Sequence, residues 1–255
     1  MSPEEIKKHW RECGAAAAAA GTWTHAQCEC VLNGGHVTGE CTEMSIFRHF
    51  LGSTQPLLAY RTEWVIWAEE EGLAGCIDFA ALDMKGHLVL YDWKRTKNLQ
   101  AKYTNQWRHL REPLSHLEDA AGIKYRLQLN VYRWILEEYY GMTISAMFVV
   151  CLHPDLRHYP FVDAVPDMQE DVRELMRLRR LARTAASSSA PPFQDVWGAG
   201  VDVADALQFF KQLGLHRSRA GILTFGRIKG ETLSASTRGP SEEVVEVGRP
   251  VRMRQ

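Results

Sequence analysis

This 255-residue sequence lacks several features, and each absence excludes a class of protein. No apolar run is long enough to cross a bilayer, and the N-terminus lacks a signal-peptide pattern. The six cysteines follow no disulfide-framework spacing, which favours reduced thiols. The 30 basic and 31 acidic residues leave a net charge of −1, so the overall charge indicates no particular partner. We expect an intracellular protein, cytoplasmic or nuclear, that is neither secreted nor attached to a membrane.

The composition is that of one globular domain with a C-terminal extension. Hydrophobic residues make up 45% of the chain and aromatic residues 10%, enough for a sizeable core. Residues 184–192 are rich in Ala, Ser and Pro, and residues 217–255 carry eight basic and four acidic residues. We therefore expect a domain at residues 1–185, a linker with a short helix at residues 186–215, and a basic, mobile tail at residues 216–255.

Apolar periodicity predicts an α/β core. Three strands in succession are expected at residues 60–69, 73–83 and 87–93. A helix follows at residues 124–140, and the near-continuous apolar run at residues 143–153 is typical of a buried central strand. Further helices are expected at residues 1–13, 15–32, 44–51, 168–183 and 204–213, and an edge strand at residues 159–165. The core order is helix, three strands, helix, strand.

Two of the predicted strands carry ionic groups in apolar surroundings. Asp78 ends the segment Gly75-Cys-Ile-Asp78, and Asp92 and Lys94 lie two residues apart on the next strand. Successive side chains of a strand alternate between faces, so Asp92 and Lys94 share one face. A turn at residues 85–87 would fold their strand back along the strand of Asp78. Three ionic groups would then converge at one place on the sheet.

Two carboxylates and a lysine are suited to hydrolysis of a phosphodiester with a divalent metal. Mg²⁺ is usually held by one or two carboxylates together with waters and substrate phosphate oxygens. A lysine beside such an ion orients or deprotonates a water, or offsets charge in the transition state. Charges at strand ends are more often solvated surface residues. Here the neighbouring apolar and aromatic residues predict buried strands, where a charge requires a partner or a function.

Four sequence blocks resemble the PD-(D/E)XK nuclease superfamily, in the branch that contains the RecB nuclease domain and lambda phage exonuclease. The blocks are Gly21-Thr-Trp-Thr-His25, Gly75-Cys-Ile-Asp78, Asp92-Trp-Lys94 and Gln128-Leu-Asn-Val-Tyr132. Each block is weak by itself, whereas four blocks in the family's order are fairly specific. They span roughly residues 21–153. The resemblance implies a restriction-endonuclease-like α-βββ-α-β core with a mixed central sheet flanked by helices.

The resemblance also implies a metal centre. Asp78, Asp92 and the backbone carbonyl of Trp93 would bind Mg²⁺ or Mn²⁺, and His25 would approach the metal from its helix. Glu63 lies on the preceding predicted strand, where some relatives carry a further acidic group, and is a candidate third ligand. A solvated edge charge is the alternative for Glu63. By itself, His25 would more often be a hydrogen-bonded core residue.

Further roles and one absence follow from the same resemblance. Lys94 would be the catalytic lysine, and Gln128 and Tyr132 would brace or contact the DNA strand. Ordinary packing of a buried tyrosine against an amide is the alternative for the last two. Ile77 stands where the motif's name has a proline, which is a frequent variation. Relatives with an iron–sulfur cluster have three closely spaced cysteines after the core, whereas the last cysteine here is Cys151, so we expect no cluster.

The segment that begins at Lys94 contains no acidic residue as far as Arg111 and is rich in basic ones. Basic clusters attract phosphate backbones through counterion release, and aromatic side chains among them stack on unpaired bases. A charge run is usually a solvated face, but its position beside the predicted site favours contact with nucleic acid. The predicted contacts are Arg95, Lys97, Lys102, Tyr103, Trp107, Arg108 and Arg111.

Together these patterns predict a divalent-metal-dependent nuclease that hydrolyses DNA, as single strands or duplex ends, with exonuclease action favoured over endonuclease action. Two alternatives stay open: a catalytically idle nucleic-acid-binding module of the same fold, and an RNA endonuclease. The intact set of Asp78, Asp92 and Lys94 argues against the idle module, because binding alone requires none of them. Fold analogy does not determine polarity, strand preference or oligomeric state.

Overall fold

The computed structural model describes residues 1–54, 57–187, 215–217 and 223–225 of an α/β fold. The helices are α1 (Pro3–Leu32), α2 (Thr42–Ser53), α3 (Ala121–Tyr140) and α4 (Gln169–Ser187). The strands are β1 (Leu58–Ala68), β2 (Leu73–Leu82), β3 (Leu88–Lys94), β4 (Ile144–Cys151), β5 (Phe161–Ala164), β6 (Leu215–Arg217) and β7 (Leu223–Phe225). Short 3₁₀ helices lie at Leu99–Tyr103 and Pro154–Leu156. None of the described helices is both long and apolar enough to cross a membrane.

Five strands form an open mixed sheet in the order β1-β2-β3-β4-β5. β1, β2 and β3 are antiparallel neighbours, β3 and β4 are parallel, and β5 is antiparallel to β4. A parallel pair requires a crossover connection, and α3 lies in the connection between β3 and β4. The predicted element order and the mixed sheet flanked by helices are therefore confirmed.

Two short strands lie in the C-terminal part of the chain, where a tail was expected. β7 pairs in parallel with the start of β2, and β6 is antiparallel to β7. Because β1 pairs along the whole of β2 on one side, β7 shares the other side with β3. Residues 188–214 of the predicted linker, with its short helix at residues 204–213, and most of the predicted tail lie outside the described residues.

Helices cover both faces of the sheet, and the alternation along β3 shows which side chains meet which helices. Val89, Tyr91 and Trp93 belong to a buried cluster with residues of α1 and α2. Leu88 and Leu90 belong to a second cluster with residues of α3 and α4. Since side chains alternate along a strand, Asp92 and Lys94 continue the row that faces α3.

α1 is longer than the sequence pattern predicts. Two helices were expected, at residues 1–13 and 15–32, whereas one continuous helix spans both. A glycine inside a helix costs only about 1 kcal/mol relative to alanine, and the alanines that follow Gly14 are the best helix formers. Ser2 and Glu5 close the N-terminus with a reciprocal capping box. α4 also runs past the expected domain boundary at residue 185, to Ser187.

Candidate functional site

The hairpin of β2 and β3 brings Asp78 close to Asp92. The strands pair in antiparallel register up to Phe79 opposite Tyr91, and Asp78 and Asp92 are the next residues on each strand. The predicted turn between them is present, and Asp83 stabilises it by accepting hydrogen bonds from two backbone N–H groups of the turn, at 2.8 and 2.9 Å. Gly86 adopts a φ of +80°, which explains a glycine at this position.

Three side chains from three elements form one cluster of metal-binding atoms. Nδ1 of His25 on α1 lies 3.5 Å from Asp78 Oδ1 on β2 and 3.7 Å from Glu63 Oε1 on β1. One ligand atom from each of the three residues lies within 4.8 Å of the others. Of the five predicted metal-site groups, the structure brings the side chains of His25, Glu63 and Asp78 together in this cluster, and Asp92 is not a member of it.

Glu63 reaches this cluster through a local distortion of β1. Its φ is +44°, an uncommon value for a residue with a side chain, and such values often mark functional sites. The pairing is regular on both sides, with Thr62 opposite Phe79 and Trp64 opposite Ile77, so Glu63 lies across from Asp78. Nothing in the local sequence distinguishes a metal ligand at Glu63 from a solvated edge charge. The sequence therefore left both interpretations open.

The backbone of Trp93 orients both His25 and Asp78. The Trp93 carbonyl oxygen lies 3.0 Å from His25 Nε2, and because a carbonyl only accepts, Nε2 is the donor. The Trp93 N–H donates to Asp78 Oδ2 at 2.7 Å. The carbonyl predicted to be a metal ligand is thus bonded to the histidine, on the side of the ring opposite to the two carboxylates.

Asp92 and Lys94 form a separate buried ion pair beside this cluster. Lys94 Nζ lies 2.5 Å from Asp92 Oδ2 and 4.8 Å from the centre of the Tyr125 ring on α3. Asp92 is only 3% exposed. The contact is an ion pair without the direction of a hydrogen bond, so this oxygen is buried with no well-directed donor among the described residues. Tyr125 is a contact that the sequence pattern did not indicate.

The pKa values of the four central groups follow from burial and mutual charge. Burial alone would lower the pKa of His25, but Asp78 and Glu63 raise it to about 10. Burial opposes ionisation of Asp78, and His25 and Lys94 nevertheless hold its pKa below the usual value. Burial raises the pKa of Asp92 to about 6 against the pull of Lys94, with the Asp78 charge adding to the rise. Burial would lower the pKa of Lys94, and both aspartates raise it.

Gln128 and Tyr132 lie on α3, and Tyr132 packs against β2 at Gly75. The Gln128 amide donates to the Tyr132 hydroxyl at 2.7 Å, and Tyr132 is almost fully buried. The Tyr132 ring lies where a Cβ at Gly75 would stand, 2.2 Å from the nearest ring atom. The arrangement therefore gives Tyr132 a bracing role, whereas Gln128 keeps a partly exposed side chain.

We predict that Gly75→Ala destabilises the protein. The added methyl group would overlap the buried Tyr132 ring, and overpacking of this kind typically costs about 1–3 kcal/mol. Chemical denaturation measures the free energy of unfolding. Gly52→Ala on α2 is the control, because no atom lies within 4 Å of its added Cβ. Equal stability of the two variants would show that Tyr132 moves aside freely.

Part of the predicted basic segment is engaged in contacts within the protein. Arg95 Nε donates to Glu43 Oε1 at 2.8 Å. Tyr103 donates its hydroxyl to Asp163 at 2.7 Å, and the Arg126 guanidinium stacks 4.0 Å from its ring centre. These contacts hold the loop after β3 against the body of the protein. They give Arg95 and Tyr103 structural partners, and we leave both out of the proposed nucleic-acid surface.

The other predicted contacts are more accessible. Trp107 is 90% exposed, so it is not a core residue. Arg108 lies 3.3 Å from Asp119, and Lys97 lies 3.7 Å from Asp155, with exposed side chains in both cations. Lys102 is partly exposed and Arg111 is exposed. This segment therefore presents one aromatic and several basic side chains to solvent.

Comparison with known proteins adds no assignment. The chain matches no protein-family model, and it matches no curated protein. A functional assignment therefore rests on the geometry of the site and on the four sequence blocks.

Proposed function

We propose that this protein is a divalent-metal-dependent nuclease that hydrolyses DNA phosphodiester bonds on a restriction-endonuclease-like core. The observation that carries the proposal is the convergence of His25, Glu63 and Asp78 beside the buried pair of Asp92 and Lys94. Four elements separated in sequence supply these groups. Bringing five ionic groups together around two largely buried aspartates is costly, and a site of this kind is typical of function rather than of stability.

The donor atoms fit a divalent cation. The carboxylates of Glu63 and Asp78 in the cluster, and that of Asp92 beside it, offer the oxygen ligands that Mg²⁺ prefers, and Asp92 Oδ2 is paired with Lys94 Nζ at 2.5 Å. The His25 nitrogen makes Mn²⁺ equally suitable. Bound here, such an ion would activate a water and neutralise developing charge on the phosphate. No cysteine group of the iron–sulfur type follows the core, and the proposal includes no cluster.

The chain's own residues have separate roles in this proposal. Asp78 is held in place by the Trp93 N–H, and His25 by the Trp93 carbonyl, so both present fixed atoms to a ligand. Lys94 remains protonated, since its pKa is raised, and its ammonium would offset charge on the phosphate in the transition state. Tyr132 and Gln128 keep β2 in position.

The experiment that tests the proposal measures cleavage of end-labelled DNA and RNA, single- and double-stranded, with Mg²⁺, Mn²⁺, Ca²⁺ or chelator. We expect cleavage of DNA with Mg²⁺ or Mn²⁺ and none with chelator. Ca²⁺ should not support it, because its looser coordination disfavours in-line attack. Labels at the 5′ and 3′ ends distinguish exonuclease from endonuclease products. Tight binding of DNA with no cleavage across the screen would favour the idle module, and cleavage of RNA alone the RNA endonuclease.

Trp107 provides a test of single-strand contact. If its exposed ring stacks on an unpaired base, Trp107→Ala should weaken single-strand binding by about 1–3 kcal/mol and duplex binding less. The melting temperature of this variant should not change, because the Trp107 ring is almost fully exposed. The matched control is Trp67→Ala, because Trp67, on β1, is also an exposed tryptophan. Unchanged affinity in the Trp107 variant removes this residue from the proposed surface.

The basic residues of the same segment should act through salt-dependent affinity. Replacing Lys102, Arg108 and Arg111 with Ala should lower the slope of log affinity against log salt by roughly 2 to 3, whatever the sequence of the DNA. The control replaces Lys7, Lys8 and Arg11 on the exposed N-terminal part of α1. An equal change of slope in both variants would mean that only total charge matters and not this segment.

A further inference from the structure

The ammonium group of Lys94 has two partners, one on its own strand and one on a helix. Asp92 Oδ2, on β3, lies 2.5 Å from Lys94 Nζ. The ring centre of Tyr125, on α3, lies 4.8 Å from the same nitrogen. A cation over an aromatic face, within about 6 Å of the ring centre, is attracted by the ring quadrupole. The Lys94 side chain is only 19% exposed, so solvent screens this attraction only in part.

Tyr125 lies on the face of α3 that also carries two of the predicted site residues. It precedes Gln128 by three residues and Tyr132 by seven, and residues at this spacing lie along one side of a helix. Tyr132 packs against β2 at Gly75, and Tyr125 contacts Lys94, the last residue of β3. One face of α3 therefore contacts both strands that carry the aspartates of the site.

An aromatic ring holds an ammonium group differently from a second carboxylate. Lysine carries its charge on a flexible stem, so a single carboxylate partner leaves the direction of the ammonium loosely defined. The Tyr125 ring restricts this freedom from the side of α3. Because the ring is neutral, it attracts the cation without adding a second negative charge beside Asp92. The ammonium group also has three N–H donors, so it can still donate to a phosphate oxygen.

We propose that Tyr125 is a positioning residue for the cleavage reaction, and that the face of its ring holds the Lys94 ammonium where it offsets charge on the phosphate in the transition state. Tyr125 acts through Lys94, and no bond is made or broken at the ring. Its role depends on the electron density of the ring face and not on the hydroxyl group. The effect on cleavage rests on the proposed nuclease function, whereas the contact between ring and ammonium does not.

Fluorinated phenylalanines at position 125 test the role of the ring face. Each fluorine withdraws electron density from the face and weakens its attraction for a cation, while the shape of the ring changes little. The series runs from Tyr125→Phe through the mono-, di- and trifluorinated residues. We expect Tyr125→Phe to keep nearly normal kcat. Along the series kcat should then fall stepwise to about a tenth of the phenylalanine value, with KM unchanged, because the contact acts in the transition state.

The matched control places the same residues at position 140, near the other end of α3, where the Tyr140 ring packs edge-on against Trp64 and Trp67. In this control series kcat should stay constant. A constant kcat along the series at position 125 would overturn the proposal. A full loss already in Tyr125→Phe would overturn it too, because the hydroxyl group would then be the part of the side chain that acts.

Thermal unfolding separates failure of this proposal from failure of the nuclease function. Fluorination at position 125 should lower the melting temperature of the protein with Lys94 and not that of Lys94→Met, in which the ring has no ammonium to hold. An equal effect in both proteins would overturn the contact, whether or not DNA is cleaved. A decrease that requires Lys94, in a protein that cleaves no substrate, would support the contact and overturn the nuclease function instead.

Discussion

Asp78→Asn is expected to reduce Mg²⁺-dependent DNA cleavage by about a thousandfold or more while leaving the fold intact. Asp78 Oδ1 faces His25, and Oδ2 accepts the Trp93 N–H, so Asp78 is the carboxylate that links the cluster to β3. A metal ligand contributes several kcal/mol of transition-state stabilisation, and each 1.4 kcal/mol is worth about tenfold in rate. Asparagine keeps an oxygen for the Trp93 N–H, and the backbone contact therefore survives.

Initial cleavage rates, DNA affinity and melting temperature together check this expectation. The matched control is Glu69→Gln, which neutralises an exposed carboxylate beyond the end of β1. The control should retain its rate, and both variants should bind DNA nearly as tightly as the unaltered protein. Full activity of Asp78→Asn with Mg²⁺ would rule out the proposed metal-dependent reaction.

Replacing Asp92 and replacing Lys94 should have different effects on the stability of the protein. Asp92→Asn leaves the mostly buried Lys94 side chain without its charged partner at 2.5 Å, and we expect a loss on the order of 3 kcal/mol in the free energy of unfolding. Lys94→Met should cost less. The pKa of Asp92 is already raised to about 6 with the lysine present, so without the lysine the carboxyl group takes a proton and becomes neutral.

The double variant Asp92→Asn/Lys94→Met separates the structural role of the ion pair from its catalytic role. It removes both charges, and its stability should recover most of the loss seen in Asp92→Asn, because well-packed neutral groups replace a buried pair at little cost. All three variants should lose cleavage, Lys94→Met by at least about a hundredfold. Chemical denaturation and cleavage rates check the two effects. A stable Lys94→Met variant with normal turnover would assign the lysine to packing alone.

Much of the site could be predicted because the relevant signals are local. The hairpin that carries Asp78, Asp92 and Lys94 follows from two apolar strands joined at a glycine turn, and both strands are present within one or two residues of their expected bounds. The helix of Gln128 and Tyr132 follows from apolar residues at helical spacing. Periodicity of two or 3.6 residues is a property of neighbours in sequence, and a single sequence contains it.

The contacts of the basic segment could not be predicted in the same way. In the sequence Arg95 and Tyr103 resemble Lys102 and Trp107, since all four belong to one basic and aromatic stretch. Partners far along the chain separate them: Glu43 on α2 holds Arg95, and Asp163 on β5 holds Tyr103. Such pairings depend on how the loop after β3 packs, which no local pattern encodes.

The sequence by itself determined the order of the core elements, the mixed sheet flanked by helices, and the presence of two carboxylates and a lysine on neighbouring strands. Tertiary structure alone decided that Glu63 lies beside His25 and Asp78 and not as a solvated edge charge, that His25 donates to the Trp93 carbonyl, and that the Cys76 thiol contacts Glu63. The physical reason is that these contacts depend on a φ of +44° at Glu63 and on the placement of α1 over the sheet. Both are set by packing between segments that are distant in sequence.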